Sequence, residues 1–398
     1  MRVGIWLGST PPNSIGGGFS YFDKLLSRIE TYNFPEKVEI VYLCYHSNGK
    51  HFNREVCEVG QIPAWIFRCF GWSKLLTKVI SKVDRGIVRL MGLEKALAPY
   101  GVKLVYYPTQ TCCVDTNFPF ISNNWDIGHL STYAFPEVSS YKKNFEYRNR
   151  FYQQWLPKAL LTVCESETGK QELLKYTPVG EHKIRIMPIF AGEVTSISVK
   201  EDELSKILKE KGLTKLEFFF YPAQFWAHKN HYNLLKAFKA FSEKHPSYKL
   251  VLSGSDQGNL AYVKSLVEEY GLKDKVVFLG FVSIETIYTM YKCATSLIMA
   301  SHFGPTNMPP IEAMEIGCPV ICSDLGGHRE ILGGAALYFY SFDSQALLDC
   351  MEEMCTNRSI YIEKLKKQKQ VTAFNVDNAM KQFVSIISEA VEIRSNWG

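Results

Sequence analysis

Between Ser301 and Cys318 the chain reads S-H-F-G-P-T-N-M-P-P-I-E-A-M-E-I-G-C. A short apolar stretch, 296–300, runs into a turn of Gly304, Pro305, Thr306 and Asn307. Pro309 and Pro310 then mark the first turn of a helix, where a missing N–H costs little. Glu312 and Glu315 follow within that turn. Strand, tight loop and helix start together bring backbone N–H groups and a positive dipole end to one point, which seats a phosphate. A carboxylate one turn in, Glu312, would accept hydrogen bonds from a ribose. The chemistry indicated is the binding of a nucleotide diphosphate. A second candidate is Gly16-Gly17-Gly18, three residues that let backbone approach a ligand without side-chain obstruction, or that form a flexible turn. His228 and His231 would make half of a metal site, but no further ligands complete the set in sequence, so no metal is expected.

These residues resemble the nucleotide-sugar loop of family-4 retaining glycosyltransferases, which have the GT-B fold. The match runs through Phe303, Gly304, Pro309, Pro310, Glu312, Ala313, Gly317, Pro319 and Val320. Ser301 stands where the family's first Glu is usual, and Pro305-Thr306-Asn307 looks like a short insertion. The run Tyr221–His231 is similar to the family loop whose Arg and Lys meet the donor diphosphate. Lys229 matches the Lys, and Gln224 falls at the Arg position. The resemblance implies that the Lys229 ammonium stabilises charge developing on the departing nucleotide. It also implies that Phe281 or Val282 flanks the base and that Gly17 faces the donor phosphate or the acceptor. Asn124–His129, with Phe135-Pro136-Glu137 downstream, looks like the family's H-D segment, with Trp125 in place of the first His. Asp126 and His129 would then orient an acceptor hydroxyl or take its proton. Glu330, in Asp324–Glu330, is implied to cap the helix that follows. Retaining enzymes of this type are expected to let the leaving phosphate take the proton, with no cofactor.

The elements that must hold these residues are short apolar strands alternating with amphipathic helical patterns, the rhythm of parallel α/β architecture. Strands are expected at 2–7, 38–44, 104–107, 120–123, 161–164 and 184–188. A second series falls at 217–221, 250–253, 276–279, 296–300 and 320–322. Helices are expected near 20–30, 73–98 and 378–394. This predicts two Rossmann-like, doubly wound domains facing a cleft: residues 1–192 on the acceptor side and 193–377 on the nucleotide-sugar side. The resemblance adds that the final helix, within 378–398, packs back on the first.

At 398 residues, 46% hydrophobic and 21% charged, the chain is long and apolar enough for two globular domains. A net charge of +5, with Lys and Arg spread along the length, does not call for nucleic acid. Eleven Cys without a C-x-x-C pair argue for buried free thiols in a reducing compartment, Cys112, Cys113, Cys318 and Cys322 included. The start lacks a signal peptide's pattern, and no apolar run approaches the roughly 20 residues that span a bilayer. From Trp65 to Arg89, Trp65, Phe67, Phe70 and Trp72 precede Lys74, Lys78, Lys82, Arg85 and Arg89, which share one helix face. That pattern suits either an ordinary solvated helix or one lying on an anionic membrane surface. The expectation is a cytoplasmic enzyme, at most peripheral to the inner face of a membrane. It would transfer a sugar from a nucleotide-diphosphate donor to a saccharide or lipid-linked saccharide. Its alternatives are a catalytically silent nucleotide-sugar-binding subunit, suggested by Ser301 and Gln224, and a sugar-nucleotide epimerase or phosphorylase on a similar scaffold. A dinucleotide-dependent oxidoreductase is disfavoured, because Gly8–Gly18 does not fit G-x-G-x-x-G.

Overall fold

Apolar runs such as Phe218-Phe219-Phe220-Tyr221, every residue of it buried, are what a parallel sheet covered by helices on both faces requires. The computed structural model describes residues 1–8, 17–45, 52–62, 66, 74–110, 113–139 and 144–397. Their strands form two sheets, both parallel throughout. In the N-terminal lobe β1 (Arg2–Gly8), β2 (Glu39–Cys44), β3 (Val56–Glu58), β4 (Val102–Tyr107), β5 (Phe120–Asn124), β6 (Leu161–Cys164) and β7 (Ile184–Ile186) lie in the order β3-β2-β1-β4-β5-β6-β7. In the C-terminal lobe β8 (Phe218–Pro222), β9 (Lys249–Ser253), β10 (Val276–Gly280), β11 (Ser296–Met299), β12 (Val320–Ser323) and β13 (Leu337–Phe339) lie in the order β10-β9-β8-β11-β12-β13. The order reverses between β1 and β4, and again between β8 and β11. In sheets of this kind the crevice outside the strand ends opens at such a reversal. The loops after β8 and β11, which carry Lys229 and Ser301–Asn307, are therefore neighbours.

The helices that matter to the site are α1 (Gly17–Thr31), α2 (Lys74–Met91), α3 (Glu167–Tyr176), α4 (His231–Lys244), α5 (Met308–Ile316), α6 (Gly326–Leu332), α7 (Ser344–Val371) and α8 (Val376–Ser395). Two features differ from the sequence expectation. Strands β3 and β13, each of three residues, lie at sheet edges and are too short to show a period. The helix expected over 73–98 stops at Met91, because Gly92 has φ 87°. Helix α5 starts at Met308, so Pro309 and Pro310 lie in its first turn as expected, at the second and third helical positions.

Along α2, Val79, Val83 and Leu90 are exposed, Leu90 by 90%. Between them Arg85 lies over the Tyr45 ring and Arg89 over Trp155. Trp65, Phe67, Phe70 and Trp72 lie outside the described residues, as does Cys112. Cys318 and Cys322 are buried free thiols, and Cys113 is partly buried.

Helix α8 returns to the N-terminal lobe. It buries Ala379, Met380, Phe383, Ile386, Ile387, Ala390 and Val391 and packs against α1 and β4. Phe383 meets the rings of Phe34 and Tyr106 edge-on, and Arg185 of β7 pairs with Glu389. Removing the Phe383 side chain leaves a cavity in that layer. Phe383→Ala is expected to destabilise the N-terminal lobe by about 3–5 kcal/mol, seen as an earlier urea-unfolding transition for that lobe.

Candidate functional site

Lys229 ends a short 3₁₀ turn (Ala227–Lys229) after β8. Asn230 follows in a left-handed conformation, φ 58°, which Asn tolerates better than most residues. Its side-chain amide donates to the carbonyls of Ala300 (3.0 Å) and Ser341 (2.6 Å), and the Tyr221 hydroxyl donates to the carbonyl of Lys229 (2.7 Å). The turn is thus pinned to β8, to the end of β11 and to the loop after β13. The half-buried Lys229 amine donates to Asn307 Oδ1 at 3.1 Å and lies 3.5 Å from Ser301 Oγ. Burial pulls its pKa down to about 8, against the weaker support of Asp126 and Glu137.

Asn307 is the N-cap residue of α5, yet its side chain makes no cap. It is committed elsewhere. His328 Nδ1 lies 2.7 Å from the Ser323 carbonyl, which assigns the proton to Nδ1 and makes Nε2 an acceptor. The Asn307 amide nitrogen then donates to Nε2 at 3.0 Å, turning its oxygen toward Lys229. Burial lowers the His328 pKa to about 4 and keeps the ring neutral, as this chain of bonds requires. Among the first four helical positions of α5, Pro309 and Pro310 have no N–H. An anion at this helix start is left with the amides of Met308 and Ile311 and those of the preceding loop. In that loop Gly304 has φ +129°, and Gly327 approaches so closely that an added Cβ would sit 1.6 Å from the Pro305 carbonyl oxygen.

These residues line a cavity of about 500 Å³ between the lobes. Lys229, Gln224, Gly304, Pro305, Thr306 and Asn307 form its C-terminal wall. The Gln224 carbonyl accepts from Trp226 Nε1 at 2.9 Å, which leaves the amide N–H₂ as the remaining donor. A second pocket of about 220 Å³ adjoins it across Gln224, Met308 and Pro309, and is lined by Phe281, Val282 and Glu312. Burial pushes the Glu312 carboxyl up, and the Tyr291 hydroxyl donates to it at 2.7 Å. The nine C-terminal candidates from sequence (Gln224, Lys229, Phe281, Val282, Gly304, Pro305, Thr306, Asn307 and Glu312) therefore line two adjoining pockets.

The N-terminal candidates are distributed differently. Asp126 lines the cavity, but its carboxylate accepts from Arg148 (2.6 Å), the Gly128 amide (2.8 Å) and Gln110 (3.2 Å). Burial works against its charge, and Arg148 overrides burial to hold it below the usual range. His129 is fully buried behind the wall, beside Tyr152 and Phe145, with neither ring nitrogen bonded among the described residues. Burial lowers its pKa to about 4. Gly17 is the first residue of α1, and Gly16 lies outside the described residues. His228, read as half of a metal pair, bonds instead to Glu137 across the cleft. His231 packs between the rings of Tyr221 and Phe225.

Sequence reasoning did not single out Arg148, Glu165 or His328. Glu165 is a charged residue directly after the buried strand β6, and that placement was the available signal. Glu330 was expected to cap the helix that follows its loop, but it sits inside α6. Its carboxylate accepts from the amides of Glu167 (2.8 Å) and Thr168 (3.1 Å), capping α3 of the other lobe. Glu137 reciprocates, accepting from the His228 amide at 2.9 Å. Because the Lys229 amine is half deprotonated near pH 8, it should react with a small amine-directed reagent at that pH ahead of the exposed lysines. Peptide mass spectrometry would record this. His328→Ala, which releases Asn307, should move the midpoint of that reactivity while leaving exposed lysines unchanged.

Comparison with known proteins accords with this geometry. Residues 204–372 match the family model described as glycosyl transferases group 1. An O-antigen chain mannosyltransferase of Salmonella typhimurium is 31% identical over 189 residues, 48% of either chain. The chain spans less than half the length of the first curated relatives it matches. Among solved structures, sucrose-phosphate synthase from Thermosynechococcus elongatus superposes with a TM-score of 0.72 at 16% identity, covering 98% of this chain and 99% of that one. The Anabaena protein HepE in complex with UDP-glucose gives 0.70 at 15% identity, covering 98% and 100%. Residues 204–372 thus resemble the glycosyl transferases group 1 family, within a chain whose two lobes have the GT-B fold.

Proposed function

We propose that the protein is a retaining glycosyltransferase. It moves a sugar from a nucleotide-diphosphate donor to a saccharide or lipid-linked saccharide, in the synthesis of a cell-surface polysaccharide or glycoconjugate. The observation that carries this reading is the Lys229 ammonium, held by neutral partners at the mouth of α5 in a cavity between two lobes. A half-buried cation with no carboxylate bonded to it among the described residues is matched by an anionic ligand. The base sits between Phe281 and Val282, the ribose meets Glu312, and the diphosphate lies against Lys229, the Gln224 amide and the backbone of Gly304–Asn307. As the glycosidic bond breaks, Lys229 stabilises charge on the leaving phosphate. That phosphate takes the acceptor proton on the face it vacates, which retains configuration without a protein nucleophile or a cofactor. Asp126, fixed by Arg148, shapes the opposite wall. The name of the Salmonella relative supports a polysaccharide role.

One rival has support in specific residues. Gln224 and Ser301 are neutral, which favours a subunit that binds nucleotide sugar and turns nothing over. Incubating the purified protein with a panel of nucleotide sugars and following cleavage by mass spectrometry separates the two, since a silent subunit releases no nucleotide. For an active enzyme the pH dependence follows from Lys229. Its charged form is complete well below pH 8 and is lost as pH rises through about 8. The kcat/KM for donor should therefore fall above that pH, and Lys229→Gln should lower it by about 100-fold or more and abolish that limb.

The exposed apolar residues of α2, flanked by Lys82, Arg85 and Arg89, support peripheral contact with an anionic membrane, at its cytoplasmic face. Among the described residues no helix is long and apolar enough to cross one. Flotation with phosphatidylglycerol vesicles should retain the native protein and lose the Leu90→Glu variant, while neutral vesicles retain neither.

A further inference from the structure

Three polar side chains of the N-terminal lobe line the cavity, two of them carrying a buried polar atom that has no partner among the described residues. Tyr21, on α1, is 1% exposed, and its hydroxyl has no partner among the described residues. Trp125, just after β5, has a buried indole N–H that is also without one. Glu165, just after β6, is 5% exposed. All three line the 500 Å³ cavity. Leaving such groups unmet is costly, so each asks for an explanation.

Glu165 is the most telling. The other two carboxylates on this wall are matched, Asp126 by Arg148 and Glu137 by His228. Glu165 accepts a hydrogen bond from the Thr306 hydroxyl, and no cation is among the groups acting on it. Burial accordingly raises its pKa to about 8. Two donors and a neutral carboxyl, which carries an O–H as well as acceptor oxygens, suit a ligand that both donates and accepts at neighbouring positions. A row of sugar hydroxyls does so. An apolar group would satisfy none of the three. Thr306 belongs to the loop that holds the diphosphate in the reading above, so a sugar on the terminal phosphate comes within reach of Glu165.

We propose that Tyr21, Trp125 and Glu165 form a hydroxyl-reading subsite for the sugar of the donor, so that the N-terminal lobe sets sugar specificity while the C-terminal lobe holds the nucleotide. This rests on the glycosyl-transfer reading and names the part of the site that selects the sugar. It also makes selection depend on the meeting of the lobes, because nucleotide and sugar are read from opposite walls.

Calorimetric titration of the full chain tests it. The probes are UDP, GDP, ADP and dTDP, each bare and as its glucose or mannose conjugate. For the pair that binds, Tyr21→Phe and Glu165→Ala should each lower the ratio of nucleotide-sugar to bare-nucleotide affinity by about tenfold. Bare-nucleotide affinity should stay as in the native protein. Glu165→Gln, which keeps the size and an acceptor oxygen, should recover most of the ratio. An unchanged ratio in Tyr21→Phe and Glu165→Ala would mean that these groups hold only ordered water, and would overturn the proposal while leaving glycosyl transfer intact. Equal losses for bare and conjugated nucleotide would overturn it too, by showing a merely structural role. Failure of the native protein to bind any probe would bring down the glycosyl-transfer reading and this proposal together.

Discussion

An ammonium group taken half out of water, with uncharged atoms for its nearest partners, is the constraint around which this molecule is arranged. Lys229 cannot be held there by its own side chain, which is long and flexible. The fold holds it from both ends. Tyr221 and Asn230 fix the backbone of its turn, and Asn307 fixes the amine, oriented in turn by a neutral His328. Tyr221, Asn230 and Asn307 lie on β8 or on the segments that follow β8 and β11, the strands beside the reversal of order, and His328 comes after the next strand, β12. The crevice and the cation share a cause.

The second constraint is that the cavity has two owners. Its nucleotide-facing side belongs to the C-terminal lobe, and its far side to the N-terminal lobe. The lobes meet through carboxylates lent across the gap: Glu330 to the start of α3, and Glu137 to the turn that carries Lys229. Free amides at a helix start are satisfied as well by a carboxylate from another domain as by a local cap. The Glu137 contact also links the N-terminal wall to the residue next to the key lysine.

Much of this was legible in the chain. Strands buried on both faces announce themselves as apolar runs, and the Pro-rich turn before Glu312 marks a helix start by itself. The C-terminal candidates came together because they lie on the loops, and the helix start, that follow neighbouring strand ends. What stayed hidden depended on distant partners. Nothing local tells that Asp126 is saturated by Arg148, or that His129 points behind the wall rather than into it. The Asn307 side chain belongs to the turn read as a phosphate seat, and the partner that orients it, His328, lies 21 residues on. Two adjacent prolines signalled the helix but also removed two of the amides that the phosphate argument relied on. The three-residue edge strands β3 and β13 were not foreseen, although the equally short β7 falls within the strand expected at 184–188.

The return of α8 has a consequence for how the molecule is made. Seven apolar side chains of residues 376–395 complete the core of a lobe whose strands come from the first half of the chain. During translation that lobe emerges first, with the surface around Phe34 and Tyr106 uncovered, and it stays so while the entire second lobe is synthesised. Vectorial folding is therefore out of order here: the domain that starts first finishes last, and its exposed seam is a natural client for chaperones until the ribosome has delivered the helix that closes it.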